Sequence, residues 1–245
     1  MNAIITGAAG GIGKAVALDF ASEEVNLGLC DIDEESLAKT VHEIRLRNEN
    51  IGIVHRCLDV SDVGKILDFT AECEKRLGGT DILVNNVGLY ILHAFEDIST
   101  DEWDRVLSVN LRSFFSFTQS VLAGMKKRNF GRIINISSAA GKNGGTVCGA
   151  HYAASKGAIL SFTRHLAKLA GAFGVTVNAV APGAIATAMV LGLGSEDLEK
   201  VKQSTVVGRL GLPEDVARVV QFLADADSGF ITGETINVNG GSLMD

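Results

Sequence analysis

The chain has two prolines, two tyrosines, one tryptophan and four cysteines among 245 residues. So little proline leaves long regular elements uninterrupted, because proline breaks helix interiors and cannot donate within a sheet. Cys30, Cys57, Cys73 and Cys148 stand far apart with no C-x-x-C pair. A chain of this size needs no covalent staples, so they read as reduced structural thiols. The histidines lack the spacing that sets two metal ligands on one helix face, and no metal is expected. No uninterrupted apolar stretch reaches bilayer length, and the opening MNAIITGAAGGIG lacks the basic region and apolar core of a signal peptide. Net charge is −7, and the densest basic run is Lys126-Lys127-Arg128. A phosphate backbone would find no broad basic surface. The expectation is a cytoplasmic protein with neither nucleic acid nor membrane as partner.

What is present is a globular α/β composition: 47% hydrophobic, 21% charged and 28 glycines. Short β-branched runs such as NAIIT, NLGLC, DILVNN, GRIINISS and VTVNAVAPG alternate with amphipathic helical stretches from end to end. Parallel strands need such crossovers, so the pattern predicts one doubly wound parallel sheet with helices on both faces. No linker or repeat divides residues 1–245, which read as a single dinucleotide-binding and catalytic domain. The stretch 184–212 departs from the pattern, with glycines around exposed-looking Met189, Leu191 and Leu193. Long insertions after a strand's carboxyl end are usually functional. A lid over a pocket is expected there, with a plain surface helix pair as the alternative.

TGAAGGIG follows the first strand and opens a helix, placing Gly7, Gly11 and Gly13 in the turn. Glycine permits positive φ and lets backbone N–H groups approach a diphosphate. The spacing is G-x-x-x-G-x-G, not the commoner G-x-G-x-x-G, and a tight turn that binds nothing has the same look. Asp31 closes the second strand about twenty residues on, where an acid accepts hydrogen bonds from an adenosine ribose and repels a 2′-phosphate. Neither Gly10 nor Ile32 supplies a cation for that phosphate, so NAD is favoured over NADP. The plainer reading of Asp31 is a helix cap, a role open also to Asp33.

In GAHYAASKGAILSF, Tyr152 and Lys156 are four residues apart and share a helix face. A phenol has an unperturbed pKa of about 10, and a neighbouring ammonium lowers it toward useful proton transfer. That spacing also arises by chance. Ser137-Ser138 end another strand, where the ligand crevice of an open α/β sheet lies. A hydroxyl there can donate to a carbonyl oxygen as charge develops, or merely form a turn. Asn110 interrupts WDRVLSVNLRSFFSF at a local cost to helix formation, which points to a function or to a solvent-facing position.

Taken together and in order, these features resemble the short-chain dehydrogenases/reductases of the compact type, across essentially the whole chain. The likeness rests on Thr6 to Gly13, Asp59-Val60, Asn85-Asn86-Val87-Gly88, Asn110, the serine strand, Tyr-x-x-x-Lys, Pro182-Gly183 and Thr187. The resemblance implies a Rossmann-type fold with Tyr152 as general acid/base and Ser138 orienting a carbonyl. It implies that Lys156 binds the nicotinamide ribose and depresses the tyrosine pKa, and that Asn110 supports a relay water. It places Gly7, Gly11, Ile12, Gly13, Asp31, Asp59, Val60, Asn86, Gly88, Pro182, Gly183 and Thr187 at the cofactor. Val87 stands where the family usually has alanine.

The implied reaction is hydride transfer between nicotinamide and a secondary alcohol or ketone. The nearest general likeness is to 3-oxoacyl-acyl-carrier-protein reductases, through GRLGLPEDVA and ITGETINVNGG. Those enzymes commonly prefer NADP and carry a basic residue where Phe173 precedes Gly174. Lys126, Lys127 and Arg128 offer a smaller docking patch. Pocket candidates are Leu89, Tyr90, Leu92, Cys148, His151, Met189 and Leu193, each of which core burial explains as well. A non-catalytic NAD sensor would lack one of Ser138, Tyr152 and Lys156, and none is missing. Phe114, Phe115, Phe117, Ile159 and Phe162 carry apolar surface beyond one helix face, and the resemblance implies a homotetramer paired through those helices.

Overall fold

The computed structural model describes residues 1–145 and 147–244. Its strands are β1 (Asn2–Thr6), β2 (Asn26–Asp31), β3 (Ile53–Cys57), β4 (Ile82–Asn85), β5 (Gly131–Ile136), β6 (Val175–Pro182) and β7 (Thr235–Val238). They form one sheet in the order β3-β2-β1-β4-β5-β6-β7, and every pairing is parallel. The helices between them are α1 (Gly11–Ser22), α2 (Glu34–Arg47), α3 (Val63–Leu77), α4 (Thr100–Leu107) and α5 (Ser113–Arg128). They continue with α6 (Ala140–Asn143), α7 (Ala150–Ala170), α8 (Ala188–Leu191), α9 (Ser195–Gln203) and α10 (Pro213–Ala224).

Side chains alternate across the sheet with the two-residue period of a strand. Ala3 and Ile5 of β1 join one core with α1, α2 and α10, whereas Ile4 joins the other with α3, α5 and α7. Burial on both faces explains why the strands read as nearly continuous apolar runs. Because β2 and β4 flank β1 on opposite sides, the chain reverses direction of winding there, and a crevice opens beyond the carboxyl ends of β1 and β4. Among the described residues no helix is long and apolar enough to cross a membrane.

The segment after β6 folds as two short helices, α8 and α9, whose base is fastened. Ala186 N–H donates to Gly211 O at 2.8 Å and Gly211 N–H to Ala184 O at 2.9 Å, closing a bridge between Ile185 and Gly211. Val207 N–H donates to Gly240 O at 3.2 Å, holding the far end against the carboxyl-terminal turn. Met189 and Leu191 are exposed as expected, but Leu193 is half-buried.

Candidate active site

The glycine turn is built by its neighbours. Gly7 and Gly11 have φ of 68° and 52°, and a Cβ at Gly13 would lie 2.1 Å from Gly7 O. Helix α1 starts without a side-chain cap, so its first N–H groups face the turn's mouth. Asp31 braces the turn from β2: its carboxylate accepts from Ala9 N–H at 2.9 Å and Asp33 N–H at 3.1 Å. Asp33, not Asp31, caps α2 by accepting from Ser36 N–H. Thr187 closes over the turn, since a Cβ on Gly11 would touch its methyl at 3.0 Å. A narrow cradle of main-chain donors with an acid at its rim fits the diphosphate and ribose of a dinucleotide.

Asn86, which the resemblance places at the cofactor, also serves the turn itself. Its Nδ2 donates to Thr6 O at 2.9 Å and Gly7 O at 3.1 Å, so it buttresses the turn from behind. Thr6, which opens the glycine motif but was assigned no role from sequence, completes the joint: its hydroxyl accepts from the N–H groups of Asn86 and Val87 at 2.9 and 3.1 Å. Asp59 lies beyond the end of β3 and accepts from Ser61 N–H at 2.8 Å, a bond that holds its carboxyl below the usual range. Val60 is buried beside it, and Pro182 and Gly183 end β6 over the crevice.

Tyr152 and Lys156 share the inner face of α7 and are 9% and 3% exposed. Ser138 follows β5, where its hydroxyl accepts from Ala140 N–H at 3.1 Å and lies close enough to the Tyr152 phenol to influence its proton. Lys156 Nζ donates to Ile136 O at 2.9 Å and lies 5.5 Å from the Phe114 ring centre and 5.7 Å from that of Tyr152. Gly88 leaves room for it, because a Cβ there would be 3.3 Å from Nζ. Burial pushes the lysine down to about 7 and the phenol up to about 12, the nearby Ser138 hydroxyl opposing the latter. The expected depression of the tyrosine by its lysine is therefore not met. Loss of water disfavours each charge, and the ammonium points at a main-chain carbonyl instead of the hydroxyl.

Asn110 is fully buried in a π-turn, Ser108–Arg112, between α4 and α5. Its Oδ1 accepts from Leu89 N–H at 2.6 Å, and its Nδ2 donates to Leu89 O at 3.0 Å and Ser155 Oγ at 3.1 Å. The side chain thus ties the loop after β4 to α7. Such π-turns cluster at functional sites, and the helix-breaking asparagine was the signal for this one.

Of the pocket candidates, Tyr90 meets Tyr152 edge to face at 5.1 Å, and its hydroxyl donates to Val147 O. Leu89, Leu92 and Cys148 lie in the two loops so joined, and Met189 stands exposed across the crevice. His151 is a correction. It is completely buried between Tyr152 N–H and Glu102, so its ring presents no surface to a substrate. The Lys126-Lys127-Arg128 run lies at the far end of α5, just before β5 begins, roughly 20 Å along that strand from the serines. Arg128 is engaged with Thr80 O at 2.5 Å, and Lys126 lies over the Phe173 ring at 4.7 Å.

A family model described as enoyl-(acyl carrier protein) reductase matches residues 7–242. The chain is 38% identical to an acetoacetyl-CoA reductase of Shinella zoogloeoides, over 99% of this chain and 98% of that protein. It is 36% identical to a 3-oxoacyl-[acyl-carrier-protein] reductase of Vibrio cholerae, over 99% and 97%. The crystal structure of a 3-oxoacyl-[acyl-carrier protein] reductase with bound NAD from Brucella melitensis superposes with a TM-score of 0.89. That comparison has 37% identity and covers 100% of this chain and 91% of that one.

Proposed function

The chain belongs to the short-chain dehydrogenase/reductase family, and from that premise we propose that it reduces 3-oxoacyl-CoA thioesters, reversibly, with NADH. The observation that carries the reading is the convergence of the Tyr152 phenol, the Ser138 hydroxyl and Lys156 at the carboxyl end of β5, beside the glycine turn. The broader reading, any ketone or secondary alcohol, uses the same groups. When bound, the dinucleotide supplies a hydride to the carbonyl carbon or accepts one from the alcohol.

Tyr152 gives its proton to the carbonyl oxygen as that oxygen gains charge, and takes it back in the oxidative direction. Ser138 donates to the same oxygen and fixes its place. Lys156 holds the nicotinamide ribose hydroxyls, and Asn110 fixes the loop and helix on which these groups stand. Gly7, Gly11, Ile12 and Gly13 hold the diphosphate, Asp31 the adenosine ribose, Asp59 and Val60 the adenine, and Gly88, Pro182, Gly183 and Thr187 the nicotinamide half. An acid at Asp31 already bonded to Ala9 N–H leaves a 2′-phosphate facing negative charge, which favours NAD over NADP.

The docking surface also selects the carrier: an acidic carrier protein needs a basic patch of matching breadth, which coenzyme A does not. Phe173 stands where the resemblance expects a base, and Arg128 is held by Thr80, so coenzyme A itself is the favoured thioester carrier. The segment 184–212 is read as a lid whose fastened base lets α8 and α9 move together, with Met189 and Leu193 over the acyl chain. The assembly is read as a homotetramer: an open groove of about 970 Å³ lies on the outer face of α5 and α7, lined by Leu111, Phe115, Ala158 and Phe162. Phe114, Phe117 and Ile159 are already covered by the chain's own core, so Phe115 and Phe162 carry that argument. The location is read as cytoplasmic.

The test is steady-state turnover of acetoacetyl-CoA, an acyl-carrier-protein thioester and simple ketones with NADH and NADPH. Highest kcat/KM for the CoA thioester with NADH is expected. Activity confined to the carrier-protein thioester would overturn the carrier choice, and preference for NADPH would overturn the cofactor choice.

A further inference from the structure

Just outside the groups placed in the chemistry, one carboxylate joins three elements. Glu102, in the first turn of α4, meets two histidines at once. His151 Nε2 donates to its Oε1 at 2.8 Å, and His93 Nδ1 lies 2.8 Å from its Oε2. His151 precedes Tyr152, is fully buried, and accepts through Nδ1 from the Tyr152 main-chain N–H at 2.8 Å. Because Nδ1 accepts, the ring proton of neutral His151 is on Nε2, which is the atom facing Glu102. His93 lies on the loop after β4, exposed, next to Leu92 and three residues from Tyr90.

The two histidines stand on opposite sides of the substrate wall. Helix α7 begins after Gly149 with no side-chain cap, and the Tyr152 N–H of its first turn is shared between Gly149 O at 3.1 Å and the His151 ring at 2.8 Å. The same spot touches the loop: a Cβ on Gly149 would lie 2.4 Å from His151 Cε1 and 2.8 Å from Ile91 O. A few residues away, Tyr90 of that loop packs against Tyr152. The chain of bonds ends on the main-chain N–H of Tyr152 and not on its phenol, so it cannot deliver protons to the reacting atoms. What it can do is fix where the phenol stands relative to the wall.

We propose that Glu102 is a positioning residue for this reaction, clamping the loop of Leu89, Tyr90 and Leu92 to the first turn of α7 so that acyl pocket and Tyr152 keep one register. The proposal rests on the reading of the site given above. A carboxylate offers acceptor oxygens to both histidines at once, whereas an amide would turn an NH2 donor toward one of them. The two bonds hold the Glu102 carboxyl below its usual range, that of His151 contributing most, so the acceptor stays ionised at neutral pH.

The experiment compares wild type with Glu102→Ala, Glu102→Gln, His93→Ala and His93→Gln, using acetoacetyl-CoA and NADH. Glu102→Ala is expected to lower kcat about tenfold, the loss that a small misplacement of a reacting group brings, and Glu102→Gln to lose less. His93→Ala frees the wall alone, so KM for the thioester rises about fivefold with kcat within about twofold. His93→Gln, whose amide still donates to Glu102, restores KM. The Kd for NADH stays within about twofold throughout, which separates positioning from general damage. Unchanged kcat and KM in every folded variant, or NADH affinity lost in step with kcat, overturns the proposal.

A second readout does not need turnover. Amide hydrogen exchange at Leu89–Ile91 is expected to accelerate in both His93→Ala and Glu102→Ala, and unchanged protection there overturns the clamp. Should wild type leave acetoacetyl-CoA unreduced, the substrate assignment fails while exchange still decides the role of Glu102. His93 is exposed, so its variants report even if Glu102→Ala does not fold.

Discussion

Around Thr6 and Gly7, polar groups close on one another: Asn86 donates to both carbonyls, Thr6 accepts from two N–H groups, and Asp31 holds Ala9. Across the crevice, Leu92, Met189, Leu191 and Val206 stand exposed, and α8 and α9 are fastened chiefly at their ends. The first region is finished before any ligand arrives, as suits a ligand whose diphosphate and ribose never vary. The second leaves apolar surface open, as the proposed acyl substrate would require, since acyl chains differ in length and are held by burial without directional bonds. Preorganisation is complete where recognition is polar and incomplete where it is apolar.

The sharpest way to break this comparison is at the boundary between the regions. Tyr152→Phe removes the acid/base hydroxyl but not the cradle, so kcat should fall about 10³-fold while NADH affinity measured by fluorescence stays near wild type. Parallel loss of NADH binding would show that the two regions are not separable. Next comes Asp31→Ala, which removes the rim charge and leaves Ala9 N–H without its acceptor. The NADH preference over NADPH is expected to shrink about tenfold, or 1.4 kcal/mol, read from the ratio of kcat/KM values. Stability in urea should drop by about 1 kcal/mol as well.

A third outcome concerns the buried cation between the regions. Folding lowers the Lys156 pKa to about 7 from an ordinary 10.5 by burial, so between those values the unfolded chain binds the additional proton. Stability of the ligand-free protein therefore gains from this group as pH rises from 7 toward 10.5, and loses it on acidification. Lys156→Met should abolish that contribution: the wild-type-minus-variant difference in unfolding free energy should grow between pH 7 and pH 9 in urea titrations. A flat difference would mean the ammonium is not desolvated. The smallest effect is expected for Met189→Ala with Leu191→Ala. Exposed positions change stability by no more than about 0.5 kcal/mol, yet KM for the thioester should rise several-fold if α8 closes over the acyl chain.

Much of the polar region was legible from the chain because its signals are local. A glycine turn after a strand, an acid closing the next strand, and tyrosine with lysine one helical turn apart each need only a short window. The placement of Asn86, Asn110 and His151 was not legible in that way. Asn86 bonds back to Thr6 and Gly7, Asn110 to Leu89 and Ser155, and His151 to Glu102. Each partner is far away in sequence, so the residue type announced a polar role without revealing its direction. The tyrosine pKa failed for a related reason: spacing put the ammonium on the right face, but burial of both groups, which spacing does not report, decided the sign.

The sequence by itself determined the alternation of strand and helix, the phosphate turn, the acid at Asp31 and the pairing of Tyr152 with Lys156, since periods of two and 3.6 residues and glycine stereochemistry act within a few residues. Only the tertiary structure decided which polar side chains face the crevice and which brace it, where the basic run falls relative to the serines, and that Glu102 bridges the loop after β4 and the first turn of α7. Those outcomes depend on which distant elements the sheet order brings together and on how much water their packing removes, and neither quantity is written in any short stretch of the chain.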